Sequence, residues 1–349
     1  MIDIDGSMHS GSGTILRYAV ALATLMGKPL HIARIRAKRE KPGLRPQHLQ
    51  ALLACSSLSG GRIQGGEVGS QELRYWPGRK LKGGRFQWEI GTAGSATMVA
   101  LTVMPIALFS KGPSRFSITG GLFQDNAPSA FHMQRVLVPM VRKMGGEVKI
   151  QIARPGYVPK GQGILELSVE PVAEHLRALH MVEQGEVEAV GGVSLASHLQ
   201  QVRVAERMAD TSQRLLQARG YKAEIEVSND TSAVHKGAAL LLWARTDKGC
   251  LLGADRAGRP GRRSEEISRF VVNSLLEDLE TGATCDRHVA DQLIVFAGLA
   301  QGRSDYRIPM VTGHVETNLW LVREILGAET ELEGDLLTVQ GVGLHRRDI

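Results

Sequence analysis

The chain has 349 residues, which is more than one small core requires and favours two domains. Its residues are 43% hydrophobic and 22% charged, a balance typical of globular proteins. No charge-free apolar run reaches the roughly 18 residues that a membrane-spanning helix needs, so we expect no membrane association. The N-terminus lacks a basic and apolar leader, and three widely spaced cysteines form no metal-binding pattern. These features predict a cytoplasmic protein with free thiols.

The net charge of +6 is distributed unevenly along the chain. Six basic residues and one acid, Glu40, fall in the twelve positions from 34 to 45. A second basic cluster contains Arg256, Arg259, Arg262 and Arg263. Such clusters are usually solvated loops, and phosphate recognition is the alternative. Aromatic residues make up only 5% of the chain, which argues against base stacking as the main mode of nucleic-acid binding.

In chain order, the first stretch predicts the pattern β-α-β-α-β-β. A strand at 2–5 meets a glycine-rich turn and a helix that stops at Gly27. A strand at 30–35 leads to a helix with Pro46 in its first turn, and two strands near Ile63 and Leu73–Trp76 close the unit. A second stretch repeats this order through residue 169, with an almost wholly apolar and therefore buried helix at 98–109.

The C-terminal part predicts a third, partial copy of the pattern. A helix at 287–300, a strand at 306–309, a further helix and two final strands follow one another. Between the second and third copies lies a segment of different character, with long charged helices predicted at 198–219 and 264–279. We therefore predict an α+β fold with a discontinuous catalytic domain, 1–182 and 281–349, and a smaller inserted α/β domain, 183–280.

The segment Thr312–Asn318 places a histidine in the first turn of a predicted helix, which ends at Gly327. Backbone N–H groups are unpaired there and the helix dipole is positive, which suits a phosphate-bearing partner. His314 is thus a candidate phosphate-facing nucleophile or acid/base. A capping or packing histidine is the alternative.

Three small-residue turns precede predicted helices, at Asp5–Gly13, Gly91–Ser95 and Gly120-Gly121. Backbone amides in such turns can approach a phosphate, although the first matches neither the Walker nor the dinucleotide-binding spacing. Arg17 lies one turn into the first helix. Corresponding positions in the repeats would bring these turns to one edge, where a polyanion could lie across them.

Two further segments carry polar residues where packing alone does not require them. Arg45, Gln47 and His48 fall at the start of the second helix, beside the first basic cluster, and a buried histidine is the alternative for His48. Asp291 and Gln292 interrupt an apolar helix. A buried polar pair destabilises the fold unless it is partnered, which indicates a ligand, a metal or a structural network.

With these segments together, the chain resembles the RNA 3′-terminal phosphate cyclase family over essentially its whole length. His314 stands where that family has its nucleophile. The other residues that carry the resemblance are Asp5-Gly6, Ile15–Arg17, Ile35–Ala37, Lys41–Leu49, Gly69-Ser70, Ala93–Ser95, Gly120-Gly121, Gly156–Gly161 and Ala290–Leu293.

The resemblance implies three structural repeats with a small insert, and an ATP-dependent reaction that proceeds through a histidine-linked AMP. It further implies ATP and a divalent metal, magnesium or manganese, as cofactors and RNA 3′-phosphate ends as the partner. A homodimer is left open. The implied residues are His314 as the catalytic nucleophile; Arg17, His288, Val289, Ala290, Asp291 and Gln292 for ATP; Arg36, Arg39, Arg45, Gln47 and His48 for RNA or phosphate; and Asp291 also for the metal.

The chain departs from the family pattern around the nucleotide pocket. Ser10 replaces a metal-binding glutamate, Leu101 a glutamine, Phe131 an acid and His288 an aromatic residue. These departures are compatible with altered metal use, altered nucleotide preference or lost activity. The alternative function is therefore a catalytically silent RNA-binding relative in RNA processing or ribosome biogenesis, although the branch in ribosome biogenesis lacks the nucleophile and the presence of His314 argues against it. An enolpyruvyl-transferase-like enzyme on a related repeat fold is a third and weaker interpretation.

Overall fold

The computed structural model describes residues 1–348 and shows four four-stranded sheets in that range, packed with helices. This arrangement confirms the mixed α+β class. Each sheet contains one parallel and two antiparallel strand pairs. No helix within residues 1–348 is long and apolar enough to cross a membrane.

The first sheet has the strand order β1-β2-β4-β3 and packs with two helices. The Ser12 side chain caps α1 by accepting from the backbone N–H of Thr14, and α2 ends at Gly60, whose positive φ of 71° suits a residue without a side chain. The sequence had located the two helices by other local signals, Gly27 after α1 and Pro46 in the first turn of α2. In chain order the elements are β1 (Ile2–Asp5), α1 (Gly13–Leu25), β2 (Leu30–Ala33), α2 (Pro46–Ser59), β3 (Arg62–Gln64) and β4 (Leu73–Trp76).

The second sheet repeats this pairing in the order β5-β6-β8-β7. The apolar helix α3 is buried as predicted, and it packs against α1 and α2. A π-helical turn, Met133–Leu137, interrupts the single helix that the sequence predicted from 130 to 144. The elements are β5 (Gly84–Glu89), α3 (Ala96–Leu108), β6 (Ser114–Gly120), α4 (Ala130–His132), α5 (Val138–Lys143), β7 (Glu147–Arg154) and β8 (Gly163–Glu170).

A further sheet, β11-β10-β12-β13, has a different connectivity because its parallel edge strand follows its neighbour in the chain. Helices α6 and α7 pack together against it. The strand β13 had no counterpart in the sequence prediction. Helix α6 begins six residues later than predicted, after positive φ values at His198 and Arg203. The elements are β9 (His180–Met181), β10 (Val187–Ser197), α6 (Val204–Gln217), β11 (Ala223–Asp230), β12 (Gly237–Thr246), β13 (Leu251–Ala257) and α7 (Ser264–Glu280).

The last sheet, β15-β16-β14-β9, joins the short strand β9 to strands more than 120 residues later in the chain. Helix α9 packs against both α1 and α8, so the N-terminal helix lies beside the helix that carries His314. This contact positions the candidate site. The elements are α8 (Val289–Leu299), β14 (Gln301–Arg307), α9 (Gly313–Leu321), β15 (Glu329–Glu333) and β16 (Leu336–Val342), with a π-helical turn at Val322–Leu326.

Candidate active site

A cavity of ≈ 730 Å³ lies where residues of α1, α2, α8 and α9 meet. This volume falls within the range of small-molecule sites. Nine of the twelve site residues that the resemblance implied line it, namely Arg17, Arg36, Arg39, Gln47, His48, His288, Asp291, Gln292 and His314. Val289 and Ala290 are instead buried in the core, and Arg45 is exposed at the N-cap of α2.

The His314 ring is held by a residue from the first helix. Thr312 caps α9 by accepting from the backbone N–H of Val315, which places His314 in the first turn as predicted. The Nδ1 atom of His314 is 3.2 Å from the Thr14 hydroxyl, and Arg17 donates to the same oxygen across 3.1 Å. Within residues 1–348 no hydrogen bond involves the other ring nitrogen, Nε2, so it is free to react with a ligand.

The surroundings keep His314 neutral. Burial and the nearby cations Arg17 and Arg39 disfavour the imidazolium form and lower the pKa of His314 to about 4. A neutral imidazole retains a nitrogen lone pair, which nucleophilic attack requires. The ring is therefore in a reactive protonation state at neutral pH.

Three arginines supply positive charge without an acidic partner. Arg17 is only 5% exposed, and burial lowers its pKa to about 10, so it remains charged at neutral pH. Arg36 donates to the backbone carbonyls of Lys41 and Gly43 at 2.7 and 2.8 Å, which fixes its guanidinium. Neither of these nor Arg39 forms an ion pair with an acid within residues 1–348. Three unpaired cations around a cavity, of which Arg17 is buried, Arg36 half-buried and Arg39 exposed, are suited to bind an anion.

His48 is a neutral donor rather than a cation. Its Nδ1 accepts from the backbone N–H of Arg45 at 3.3 Å, so the proton of the neutral ring resides on Nε2. Burial and the surrounding arginines lower the pKa of His48 to about 2. Gly13 leaves room for the ring, since a Cβ at that position would lie 2.0 Å from the Nε2 atom of His48.

Several buried polar atoms that line the cavity have no partner in residues 1–348. They are Tyr18 Oη, Gln124 Nε2 and Gln292 Oε1. Buried polar groups are rarely left unpaired unless a ligand or water satisfies them. A polar small molecule of the size of a nucleotide fits both this requirement and the cavity volume.

Asp291 is linked to the helix that bears His314, but not to the ring itself. Its carboxylate and backbone oxygen accept from the amide of Asn318 at 3.3 and 2.8 Å. Burial outweighs the opposing effect of Arg17 and raises the pKa of Asp291 to about 7. No hydrogen bond joins Asp291 to His288 within residues 1–348; the His288 ring meets that of His132 edge-on at 6.0 Å.

The described chain provides no ready-made metal cage, since no three His, Cys, Asp or Glu residues of positions 1–348 group as ligands. Ser10, where the family has a glutamate, bonds instead to the hydroxyls of Ser12 and Thr317 at 3.0 and 2.8 Å. A hydroxyl is a poorer ligand for a hard cation than a carboxylate. A divalent metal here would have to take most of its ligands from substrate phosphates and water, which is common for magnesium.

The glycine-rich turns do not all converge on this cavity. The first turn lines it through Ser12 and Gly13. The second and third turns meet each other, where Gly121 N–H donates to the carbonyl of Gly94 at 2.8 Å, and they line a separate cavity of ≈ 360 Å³ together with Lys160. The polyanion path expected across all three turns is therefore divided between two cavities.

Sequence reasoning did not identify several residues that line the main cavity. Thr14 lies three positions before Arg17, on the same helical face, and this spacing was an available signal. Asp255, Arg256 and Phe270 come from β13 and α7. Arg256 had been noted only as part of a basic cluster, because the strand that positions it was not predicted.

A family model described as RNA 3′-terminal phosphate cyclase matches residues 8–332. The chain belongs to this family. It is 38% identical to the RNA 3′-terminal phosphate cyclase of Pyrobaculum neutrophilum over 346 residues, 98% of this chain and 99% of that one. It is also 38% identical to the one from Pyrococcus furiosus over 337 residues, 96% of each chain. Among solved structures, an EPSP synthase from Acinetobacter baumannii aligns at 13% identity, and the alignment covers 98% of this cyclase-family chain and 64% of the EPSP synthase chain. The TM-score of 0.26 is too low to relate the two folds.

Proposed function

We propose that this protein converts the 3′-terminal phosphate of RNA to a 2′,3′-cyclic phosphodiester with ATP as co-substrate. The activity belongs to the ligase class and serves RNA processing. The observation that carries the proposal is the neutral His314, with its Nε2 free, in a cavity lined by Arg17, Arg36 and Arg39, none of which has an acidic partner in residues 1–348. A nucleophile surrounded by unpaired cations is what attack on a phosphate ester requires.

The reaction takes three substitutions at phosphorus. In the first, Nε2 of His314 attacks the α-phosphorus of ATP; the N–P bond forms as the bond to pyrophosphate breaks. An oxygen of the RNA 3′-phosphate then displaces the histidine and takes up the AMP group. Finally the neighbouring 2′-hydroxyl attacks the activated 3′-phosphorus, loses its proton and releases AMP. Adenylylation is needed because a phosphomonoester by itself has a poor leaving group.

We assign the phosphate contacts to the arginines and to the start of α2. Arg17, Arg36 and Arg39 would bind ATP phosphates and the RNA end, with Gln47 and the Nε2–H of His48 as neutral donors. Arg45, exposed beside them, would contact the RNA outside the cavity. A divalent cation, when bound, would neutralise phosphate charge, and Asp291 is the protein group proposed to approach it.

We assign the nucleoside part of ATP to the start of α8. His288 lines the cavity and presents a ring that can pack on adenine, while Gln292 offers an unpartnered side-chain oxygen. The buried side chains of Val289 and Ala290 would act by holding this helix in place rather than by contact.

We also infer that the three sheets with matching strand order are structural repeats of one catalytic domain, 1–182 and 281–349. The sheet with the different connectivity would then be the core of an inserted domain, 183–280. The shared strand order and the pairing of β9 with β14 across this segment support the inference. The three free, buried cysteines are consistent with a cytoplasmic location.

The experiment that tests the function is self-labelling with ATP that carries radioactive phosphorus at the α position, in the presence of magnesium or manganese. The wild type should acquire an acid-labile label, and His314→Ala should acquire none while keeping its melting temperature. His180→Ala is the matched control, because that side chain is 66% exposed on β9. Persistent labelling of His314→Ala would overturn the assignment. A wild type that binds RNA but never labels would favour the silent relative.

A further inference from the structure

One wall of the main cavity carries an exposed aromatic ring that the proposed chemistry does not use. Phe270 on α7 is 44% exposed, whereas the next two residues of the helix are buried. The guanidinium of Arg256 lies over its ring, 3.8 Å from the centroid, and both side chains line the cavity. An exposed aromatic ring that lines a cavity together with a cation is available to contact a ligand.

Two tethers hold this wall against the loop that follows β6. The backbone N–H of Ser129 donates to the Asp255 carboxylate at 3.0 Å. Arg262 forms a two-pronged ion pair with Asp125 at 2.8 and 2.6 Å, and its side chain is only 5% exposed. The first contact anchors the residue before Arg256, and the second anchors the segment that leads into α7, so the backbone that carries Arg256 and Phe270 is held against this loop.

The chemistry of the wall suits a nucleobase. An aromatic ring with a guanidinium on it offers a flat, sequence-tolerant surface for stacking, and cation–π contact strengthens it. Gln124 also lines the cavity, and its buried amide nitrogen Nε2 has no partner in residues 1–348, which leaves a hydrogen-bond donor without an acceptor near this wall.

The proposed reaction involves two nucleobases, the adenine of ATP and the 3′-terminal base of the RNA. The exposed position of the Phe270 ring indicates which of the two it binds. A free nucleotide can be enclosed by the buried groups Tyr18 and Gln292. An RNA end has to leave the cavity towards solvent, and it passes the exposed side of the opening as it does so. Resting on the proposed function, we propose that Phe270 and Arg256 bind the 3′-terminal base of the RNA whose phosphate is processed.

The test compares RNA binding by fluorescence anisotropy for two oligonucleotides that both end in a 3′-phosphate. One carries a normal terminal nucleotide and the other lacks only the terminal base. Loss of one stacked base should weaken binding about tenfold. Wild type should thus prefer the complete oligonucleotide by that factor, whereas Phe270→Ala should bind both equally and weakly. Phe270→Tyr should restore the preference.

Two controls separate this proposal from the proposed function. Asn273→Ala changes an exposed residue one turn further along α7 that does not line the cavity, and it should behave as wild type. Self-labelling by ATP should be unchanged in Phe270→Ala. If Phe270→Ala lowers the affinity for both oligonucleotides by the same factor, so that the tenfold preference for the complete one persists, stacking on the terminal base is overturned. Impaired labelling in Phe270→Ala would assign the ring to ATP instead. Absence of labelling in the wild type would count against the proposed function alone.

Discussion

The hydroxyl of Thr14 lies 3.2 Å from Nδ1 of His314, a contact between residues 300 positions apart. The Thr14 oxygen also accepts from Arg17, and an oxygen with two lone pairs can accept from both neighbours. In that arrangement the proton of the neutral imidazole resides on Nδ1, and the lone pair is on Nε2, directed away from Thr14. Attack through Nε2 needs this tautomer, and Thr14 on the first helix can accept its Nδ1 proton.

Thr14→Val, which keeps the shape of the side chain and removes its hydroxyl, should slow self-labelling. One hydrogen bond is worth about 1 kcal/mol, which corresponds to about a fivefold loss of rate, with little change in the ATP concentration at half-saturation. Thr14→Ser should restore the rate because it restores the hydroxyl. If Val and Ser variants label equally fast, the contact has no role in positioning His314.

His314 should titrate far below an ordinary histidine. Burial and the neighbouring arginines lower its pKa from 6.5 to about 4, so the ring stays neutral in the folded protein at pH 5. Because the folded-state pKa is depressed, this residue reduces the free energy of unfolding as pH falls from 6.5 towards 4. Nitrogen-15 NMR of labelled histidines measures the pKa of His314 directly, with the His314→Gln variant used to assign its signal. A midpoint near 6.5 would contradict the described surroundings.

Arg39→Ala should weaken binding of an RNA end with a 3′-phosphate about tenfold, since a hydrogen bond to a charged group contributes about 1.5–3 kcal/mol. The plot of log affinity against log salt concentration should also become shallower, because one fewer counterion is released. Arg85→Ala is the control, because that exposed arginine on β5 does not line the cavity. If Arg39→Ala and Arg85→Ala weaken RNA binding equally, the effect is a general electrostatic attraction and not a specific phosphate-binding site at Arg39.

The buried pair His132–Asp286 should dominate stability near the site. Burial opposes both charges, but each partner stabilises the other: the pKa of His132 rises to about 9 and that of Asp286 falls to about 2. Asp286 also accepts from the backbone N–H groups of Gly253, His288 and Val289. Asp286→Ala should therefore lower the free energy of unfolding by about 3–5 kcal/mol.

Urea denaturation measures this loss, with Glu170→Ala as control, since its ion pair with Arg115 is exposed and should contribute at most about 1 kcal/mol. The stabilisation that His132 contributes should be present below pH 6.5 and should be lost as pH rises through about 9. The stabilisation that Asp286 contributes should be lost only when pH falls below about 4. A loss no larger than that of the control would show that the pair is not needed.

Local signals explain what the sequence predicted well. Thr312 and Gly327 bound the helix of His314, and capping residues act within one turn, so the element could be located without its neighbours. Asp255 and Arg256 could not be placed, because β13 contains Gly253 and Ala254 but no β-branched residue, and it is held as a strand by its partner β12. The tether between Thr14 and His314 depends on the packing of α1 on α9, which no local pattern specifies.

Asp291→Asn tests whether the charge of that residue is used. The side chain keeps its shape and can still accept from Asn318, so packing should survive. Burial raises the wild-type pKa to about 7, and a carboxyl whose folded-state pKa is raised favours folding below pH 3.8 and loses that contribution as pH rises through 7. The Asn variant cannot ionise, so its melting temperature should match the wild type at pH 3.5 and exceed it at pH 8. If the ionised carboxylate approaches a metal or the nucleotide, self-labelling at pH 8 should fall by more than tenfold, about 1.4 kcal/mol, in this more stable protein. Loss of stability at both pH values with unchanged labelling per folded molecule would instead make Asp291 part of a purely structural network between α8 and α9.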